Sequence, residues 1–225
     1  MTVIVQDVEI GEVRIPDGIT NIQAFRRWAT SNKFPERGRF SFLCGTLHVD
    51  LSMEELFTHA LVKAEITIVQ GQIIKTDQSG YYFPDGSLLS NPKVSLSTEP
   101  DAMFVSYEAI RTGRIRFTKG KQKGCMEVVG SPDMVVEIVS ESSVTKDYEI
   151  LRELYWKAKI PEYWLIDARE RNVLFEILRH GQHGYVSTRR QPSGWLASPV
   201  FGRSFRLKHR TDRLGNPEFT LEVRK

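Results

Sequence analysis

The ten residues Ser131-Pro-Asp-Met-Val-Val-Glu-Ile-Val-Ser140 constrain the fold of this chain more than any other stretch. A short apolar run bounded by turn-forming residues predicts a buried β-strand, yet this one carries a carboxylate, Glu137, in its interior. A buried carboxylate is costly unless a cation meets it. Upstream, Glu99-Pro-Asp-Ala-Met-Phe-Val-Ser106 repeats the pattern, with Asp101 just ahead of a second apolar run. Two strands that each bring one acid toward a shared sheet edge fit a divalent-cation site.

The chain has 225 residues, 40% of them hydrophobic, enough for one large domain with a real core. No apolar run approaches the roughly 20 residues that cross a bilayer, and Met1-Thr-Val-Ile-Val-Gln-Asp lacks the basic region of a leader. A cytoplasmic protein without a membrane partner is expected. Cys44 and Cys125 have no C-x-x-C partner, so two reduced structural cysteines are predicted rather than a disulfide or zinc site. The net charge of +3 matters less than its distribution. Between Glu108 and Glu127 lie Arg111, Arg114, Arg116, Lys119, Lys121 and Lys123 with no acid among them, and a second acid-free stretch runs from Glu176 to Asp212. Clustered cations of this kind can track a phosphate backbone; solvated loops are the competing reading.

Val3 to Arg14 alternates loosely as a strand, and Asn21 to Ser31 reads as a helix with Ile22, Phe25 and Trp28 on one side. Arg39 to Asp50 predicts a hairpin turning near Gly45. Ser52 is expected to open a helix through Ile66, followed by short strands at Gln72–Thr76 and Tyr81–Phe83 and a loop from Ser87 to Thr98. After the Glu137 strand, a helix from about Thr145 to Lys159 ends at Pro161, and strands follow at Tyr163–Asp167 and Val173–Leu178. The Gly- and Arg-rich remainder reads as a strand meander.

Pro132 to Ser143, with Lys146-Asp147, Leu154-Tyr155 and Ile160-Pro-Glu-Tyr-Trp-Leu-Ile-Asp167, resembles the Uma2 (DUF820) family of restriction-endonuclease-like nucleases. Phe40 to Leu47 and then His59 are similar to the family's opening strand and helix. The resemblance implies an α/β fold: a restriction endonuclease-like α-β-β-β-α-β core with a mixed central sheet and N- and C-terminal strand additions. Residues 1–36 would be an N-terminal extension, and residues 37–225 the nuclease domain with its basic C-terminal meander. Its implied activity is Mg²⁺-dependent (or Mn²⁺-dependent) hydrolysis of DNA phosphodiester bonds. As PD-(D/E)XK nucleases go, Asp101 and Glu137 would hold the metal while a lysine adds a cation beside the attacking water.

The family's usual lysine position is Leu151 here, and Ser41 stands where a glutamate is frequent. Lys146 and Arg152 are the two candidates to supply the missing cation, with Lys146 favoured because lysine can tune its pKa. Asp147 and Asp85 are supporting acids near the site, whereas Asp133 and His59 read as structural. Expected partners are nucleic acid, DNA in particular, and a second copy of the chain in a homodimer. Two rival functions stay open: a catalytically inactive nuclease-fold protein that binds nucleic acid, and a partner-binding module on the same fold.

Overall fold

The computed structural model describes residues 3–7, 11–120 and 124–225. Lys121 and Lys123 of the basic cluster therefore lie outside the described residues, as do residues 8–10 of the first expected strand.

β1 (Val3–Asp7) and β2 (Gly11–Ile15) form an antiparallel ribbon. The first helix, α1 (Ile22–Ala29), is capped by Asn21, whose side chain accepts from the Ala24 amide at 2.9 Å. It buries Ile22, Phe25 and Trp28, the stripe predicted for it, against Phe40, Phe42 and Leu88. β3 (Arg39–Leu43) and β4 (Thr46–Asp50) make the expected hairpin. Its two-residue turn places both Cys44 (φ 52°) and Gly45 (φ 87°) in the left-handed region, as a turn that follows strand twist requires. Cys44 and Cys125 are unpaired but exposed, so neither is the packed cysteine expected.

The second helix begins with a π-helical turn at Leu56–Ala60 and continues as α2 (Leu61–Asp77). Its cap is Glu55, not Ser52, which instead bonds Asp50. Gln72–Thr76, expected as a strand, is the last part of this helix. β5 (Gly80–Pro84), β6 (Leu88–Asn91), β7 (Leu96–Thr98) and β8 (Ala102–Ser106) follow, so the expected loop from Ser87 to Thr98 holds two strands. α3 (Tyr107–Arg111) leads to β9 (Ile115–Lys119), β10 (Cys125–Gly130) and β11 (Met134–Ile138). A second π-turn, Lys146–Leu151, opens α4 (Arg152–Lys157). β12 (Glu162–Asp167), β13 (Leu174–His180), β14 (Tyr185–Ser187), β15 (Leu196–Ser198), β16 (Arg203–Thr211) and β17 (Pro217–Arg224) complete the chain.

The architecture is mixed α/β. The central sheet has the order β14-β13-β12-β11-β8-β5; β11 and β12 run parallel, and its other pairs are antiparallel. In the chain α2, β5, β8, β11, α4 and β12 follow in that order but are interrupted by β6 and β7 and by α3, β9 and β10. A second six-stranded sheet has the order β4-β3-β7-β6-β10-β9. One face of the central sheet, with Met103, Val105 and Val135, packs on this second sheet through Leu43, Leu89 and Leu96, and on α4 through Leu151, Leu154 and Tyr155. The opposite face, with Ala102, Phe104, Val136 and Ile138, packs on α2 and on the β15-β16-β17 sheet through Val62, Ile66, Phe205 and Leu221. Among the described residues no helix is long and apolar enough to cross a membrane.

Candidate active site

Where β7 leaves the second sheet, Glu99-Pro100-Asp101 carries the chain into the central sheet, and Asp101 lands at the start of β8 beside the end of β11. The antiparallel register pairs Val136 with Ala102. The paired ladder ends there; Asp101 is the next residue on one side of it and Glu137 the next on the other, with α2 reaching Asp101 and α4 reaching Glu137. Asp101 is held there by the Ile138 amide, which donates to its Oδ2 at 2.7 Å. Glu137 is held by the Tyr155 hydroxyl, which donates to its Oε1 at 2.5 Å from α4. Both acids are buried.

The two π-turns deliver the cations. In the first, the Ala60 amide donates to the Glu55 carbonyl at 3.0 Å, an i→i+5 bond. That turn brings His59 inward: its Nδ1 lies 2.6 Å from Glu54 Oε1 and its Nε2 3.6 Å from Asp101 Oδ2. One turn later the Lys63 ammonium bonds Glu54, sits 2.6 Å from Asp85 Oδ2 and is 3.6 Å from Asp101 Oδ1. Arg39 on β3 closes the group, 3.8 Å from Glu54 and 3.9 Å from Asp85. Of these residues, sequence reasoning picked out Asp85 and gave His59 a structural role. Lys63 and Arg39 were missed, because neither stands in a motif and their partners lie far along the chain.

The second π-turn explains how Lys146 can serve where Leu151 cannot. Leu151 is fully buried among the apolar residues of the core. Lys146 and Leu151 are the first and last residues of the second π-turn, Lys146 partly exposed and Leu151 closed into the core. Lys146 Nζ lies 3.4 Å from Asp147 Oδ1 and interacts most strongly with Glu137. Arg152, the other candidate, is half-buried and has no ion-pair partner among the described residues. Ser41, at the position of the family's frequent glutamate, is buried with its hydroxyl 2.8 Å from Thr98 Oγ1.

The charges are strongly coupled. Burial drives the Glu137 carboxyl well above the ordinary glutamate range; Lys146 pulls it back, and Asp147 and Asp101 push it up. Burial likewise pushes Asp147 up to about 6, against Lys146 and the hydrogen bond from Ser143. For Lys146 burial works the other way, but Glu137, Asp147 and Asp101 together hold the ammonium above its usual value. Lys63 is raised similarly: Asp101, Asp85 and Glu54 outweigh burial. Partial burial, with Asp85 adding to it, pushes the half-buried Glu99 up to about 7, with Arg39 opposing.

The donors suit a hard divalent ion better than zinc, since the acids offer oxygens and no thiolate is near. Asp147 Oδ1 is buried, and its nearest polar partner is the Lys146 ammonium 3.4 Å away. Among the described residues no group of three or more His, Cys, Asp or Glu is arranged as a ready metal cage. Two carboxylates with the remaining positions left to water and substrate phosphate is the habit of Mg²⁺.

The basic cluster, which as the connection between the Asp101 and Glu137 strands is expected to border the acids, lies elsewhere. Instead of a loop bordering the acids, residues 111–119 form the end of α3 and the edge strand β9, at the far end of β8 and β11. Arg111 is paired with Glu108 at 2.6 Å, and Arg114 with Asp133. Asp133 also accepts from the Ser106 amide at 2.7 Å, a structural role as predicted. In the second acid-free stretch the four cations nearest its end are paired with acids from elsewhere. Arg203 pairs with Asp77, Arg206 and Lys208 with Glu222, and Arg210 with Glu218.

With this geometry in hand, comparison with known proteins is informative. The chain is similar to a solved structure described as "a putative nuclease belonging to DUF820" from Anabaena variabilis ATCC 29413. The likeness has a TM-score of 0.51 at 20% identity and covers 72% of this chain and 83% of that one, which bears on the fold. No curated protein matches the chain. The family model described as "Uma2: Putative restriction endonuclease" matches residues 22–209, a span that includes both acids, both π-turns and Lys146, and the chain belongs to that family.

Proposed function

We propose that this protein is a divalent-metal-dependent endonuclease that hydrolyses DNA phosphodiester bonds on a restriction endonuclease-like α-β-β-β-α-β core. The observation that supports the reading is the meeting of β8 and β11, where the Ile138 amide binds the buried Asp101 next to the buried Glu137 and Lys146 is held charged by both acids. Mg²⁺ or Mn²⁺ bound by these two carboxylates would acidify a water molecule and offset charge growing on the phosphate.

The protein's own groups do the rest. The Tyr155 hydroxyl and the Ile138 amide each fix one oxygen of an acid; of the other two, Asp101 Oδ1 lies 3.6 Å from the Lys63 ammonium, and a bound metal would draw on it and on Glu137 Oε2. Lys146 supplies a permanent positive charge beside Glu137, stabilising the ionised acid and the anionic phosphate that approaches it. Lys63 and Arg39 hold Asp85 and Glu54 in place around Asp101, and His59 links Glu54 to it.

The test is cleavage of supercoiled and single-stranded DNA with Mg²⁺ and with Mn²⁺, run beside Glu137→Gln. Metal-dependent nicking by the parent and none by the variant is expected. A parent that never cleaves with either metal would move the protein to the inactive-binder reading.

A further inference from the structure

At the end of the central strands away from Asp101 and Glu137, the surface forms a continuous cationic groove. Two cavities of about 950 and 750 Å³ share Lys93, Val94, Lys157 and Lys159 in their walls, and no Asp or Glu lines either one. The cations converge from separate parts of the sequence: α1, the 3-10 turn after β6, β9 and the end of α4. The basic cluster of the sequence supplies Arg114, Arg116 and Lys119, and the fold adds Lys93, Lys157 and Lys159 to them.

The acids that flank the groove are already engaged. Glu127 is bound by Arg26 through two bonds of 2.6 and 2.8 Å, Asp133 is paired with Arg114, and Glu153 with Lys157. Among the described residues Lys93, Arg116, Lys119 and Lys159 have no ion-pair partner and line the groove. Its floor is interlocked: Asn91 donates to Ser131 Oγ at 3.3 Å, and Ser131 donates to the Ala158 carbonyl at 2.5 Å.

Lys159 adds a second, independent observation. It occupies the position just past α4 that usually falls to glycine, with φ at 59°. The Ile160 amide bonds the Tyr155 carbonyl at 3.1 Å around it, so the left-handed conformation is built into the helix end. A strained lysine held on the wall of a cationic groove points to function rather than stability.

We infer that this groove binds the phosphodiester backbone of a nucleic acid, at a site separate from the acids. Ser131 on its wall is six residues from Glu137, about 20 Å along an extended strand, so contact here positions a polynucleotide without touching the reacting centre. Phe117 lines one cavity, and Trp156, stacked on His180 with ring centres 5.9 Å apart, lines the other, giving flat surfaces for bases of an unpaired strand. An acidic protein would use the charge but has no call on the rings.

The test uses the whole protein in EDTA, so that binding is read without cleavage. Anisotropy of a labelled 20-nucleotide strand and a 20-base-pair duplex is followed from 50 to 200 mM NaCl. If the four unpaired cations each meet one phosphate, K93Q/R116Q/K119Q/K159Q should flatten the slope of log affinity against log salt by about 3.6 for duplex and about 2.8 for single strand. R203Q/R210Q in the paired C-terminal ribbon should keep the parental slope. K159G separates function from folding: it should raise the Tm by relieving the left-handed strain while weakening binding. A quadruple variant that folds and keeps the parental slope overturns the inference, as does K159G binding as tightly as the parent. Poly-glutamate competing as well as DNA at equal charge would also overturn it, in favour of an acidic protein. Because the readout is binding, loss of slope in the variant stands even if the parent never cleaves DNA, and cleavage with an unchanged slope would refute the groove alone.

Discussion

Replacing Asp147 by asparagine tests the electrostatics of the site without removing a metal ligand. In the folded protein burial holds this carboxyl at about 6, against 3.8 for a free aspartate, despite Lys146 and the bond from Ser143. The folded-state value is raised, so the group's contribution to stability is fully present below the unfolded pKa and is lost as pH rises through the folded one. The window is therefore about pH 4 to 6. A shift of about two units corresponds to about 3 kcal/mol. For a chain of this size that is about 6–12 °C in Tm. Metal-free parent and D147N are unfolded in urea at pH 4, 5, 6 and 8. D147N should be the more stable at pH 8, by up to about 3 kcal/mol, with the advantage shrinking toward pH 4. Glu137 and Glu99 move in the same direction and keep some pH dependence in the variant. A difference between parent and variant that stays flat across that window would refute the coupling derived from burial.

Two further expectations concern the same cluster. Saturating Mn²⁺ at about 100 times its Kd should stabilise the parent by about 2.7 kcal/mol, a Tm rise of about 5–11 °C that is larger at pH 8 than at pH 5 because the ligands must be ionised. E137Q should lose that rise, and a rise equal to the parent's would remove Glu137 from the metal site. Lys146→Met should lower cleavage by about 10²–10³-fold with the fold intact, as loss of a preorganised charge commonly does, while Arg152→Met should cleave like the parent. The opposite ranking would hand the cationic role to Arg152.

The sequence showed the acids more clearly than the charges around them, and the reason is physical. Asp101 and Glu137 each belong to a short apolar run, and the two runs pair in one ladder, so local pattern and tertiary position coincide. The helix stripes of α1 and α4 were legible for the same reason. α2 was cut short because Ile66-Thr-Ile-Val69 and Ile73-Ile74 are β-branched residues with modest helix propensity; packing of Val62, Ile66 and Ile74 on the central sheet decides the outcome. β9 was hidden behind its charges, although Ile115-Arg-Phe-Thr-Lys119 alternates as an edge strand does.

Ionic partners are the least legible level, since a charge's effect depends on what folds against it. Lys63 is invisible as a site residue until the Asp101 and Asp85 segments arrive beside it. The arginines of the C-terminal ribbon, which look like a basic patch in one dimension, are cancelled across the strand pair by Glu218 and Glu222. Lys93 and Lys159 show the converse: each is an ordinary isolated lysine in the sequence, and only the fold gathers them into a surface that no acid opposes. A charge run in sequence therefore argues for a binding surface only after the acids of neighbouring elements have been placed against it. By that criterion the groove beside Lys159, which joins Arg116 and Lys119 of the first acid-free stretch to Lys93 and Lys159, is a stronger candidate for contacting phosphates than the paired C-terminal ribbon.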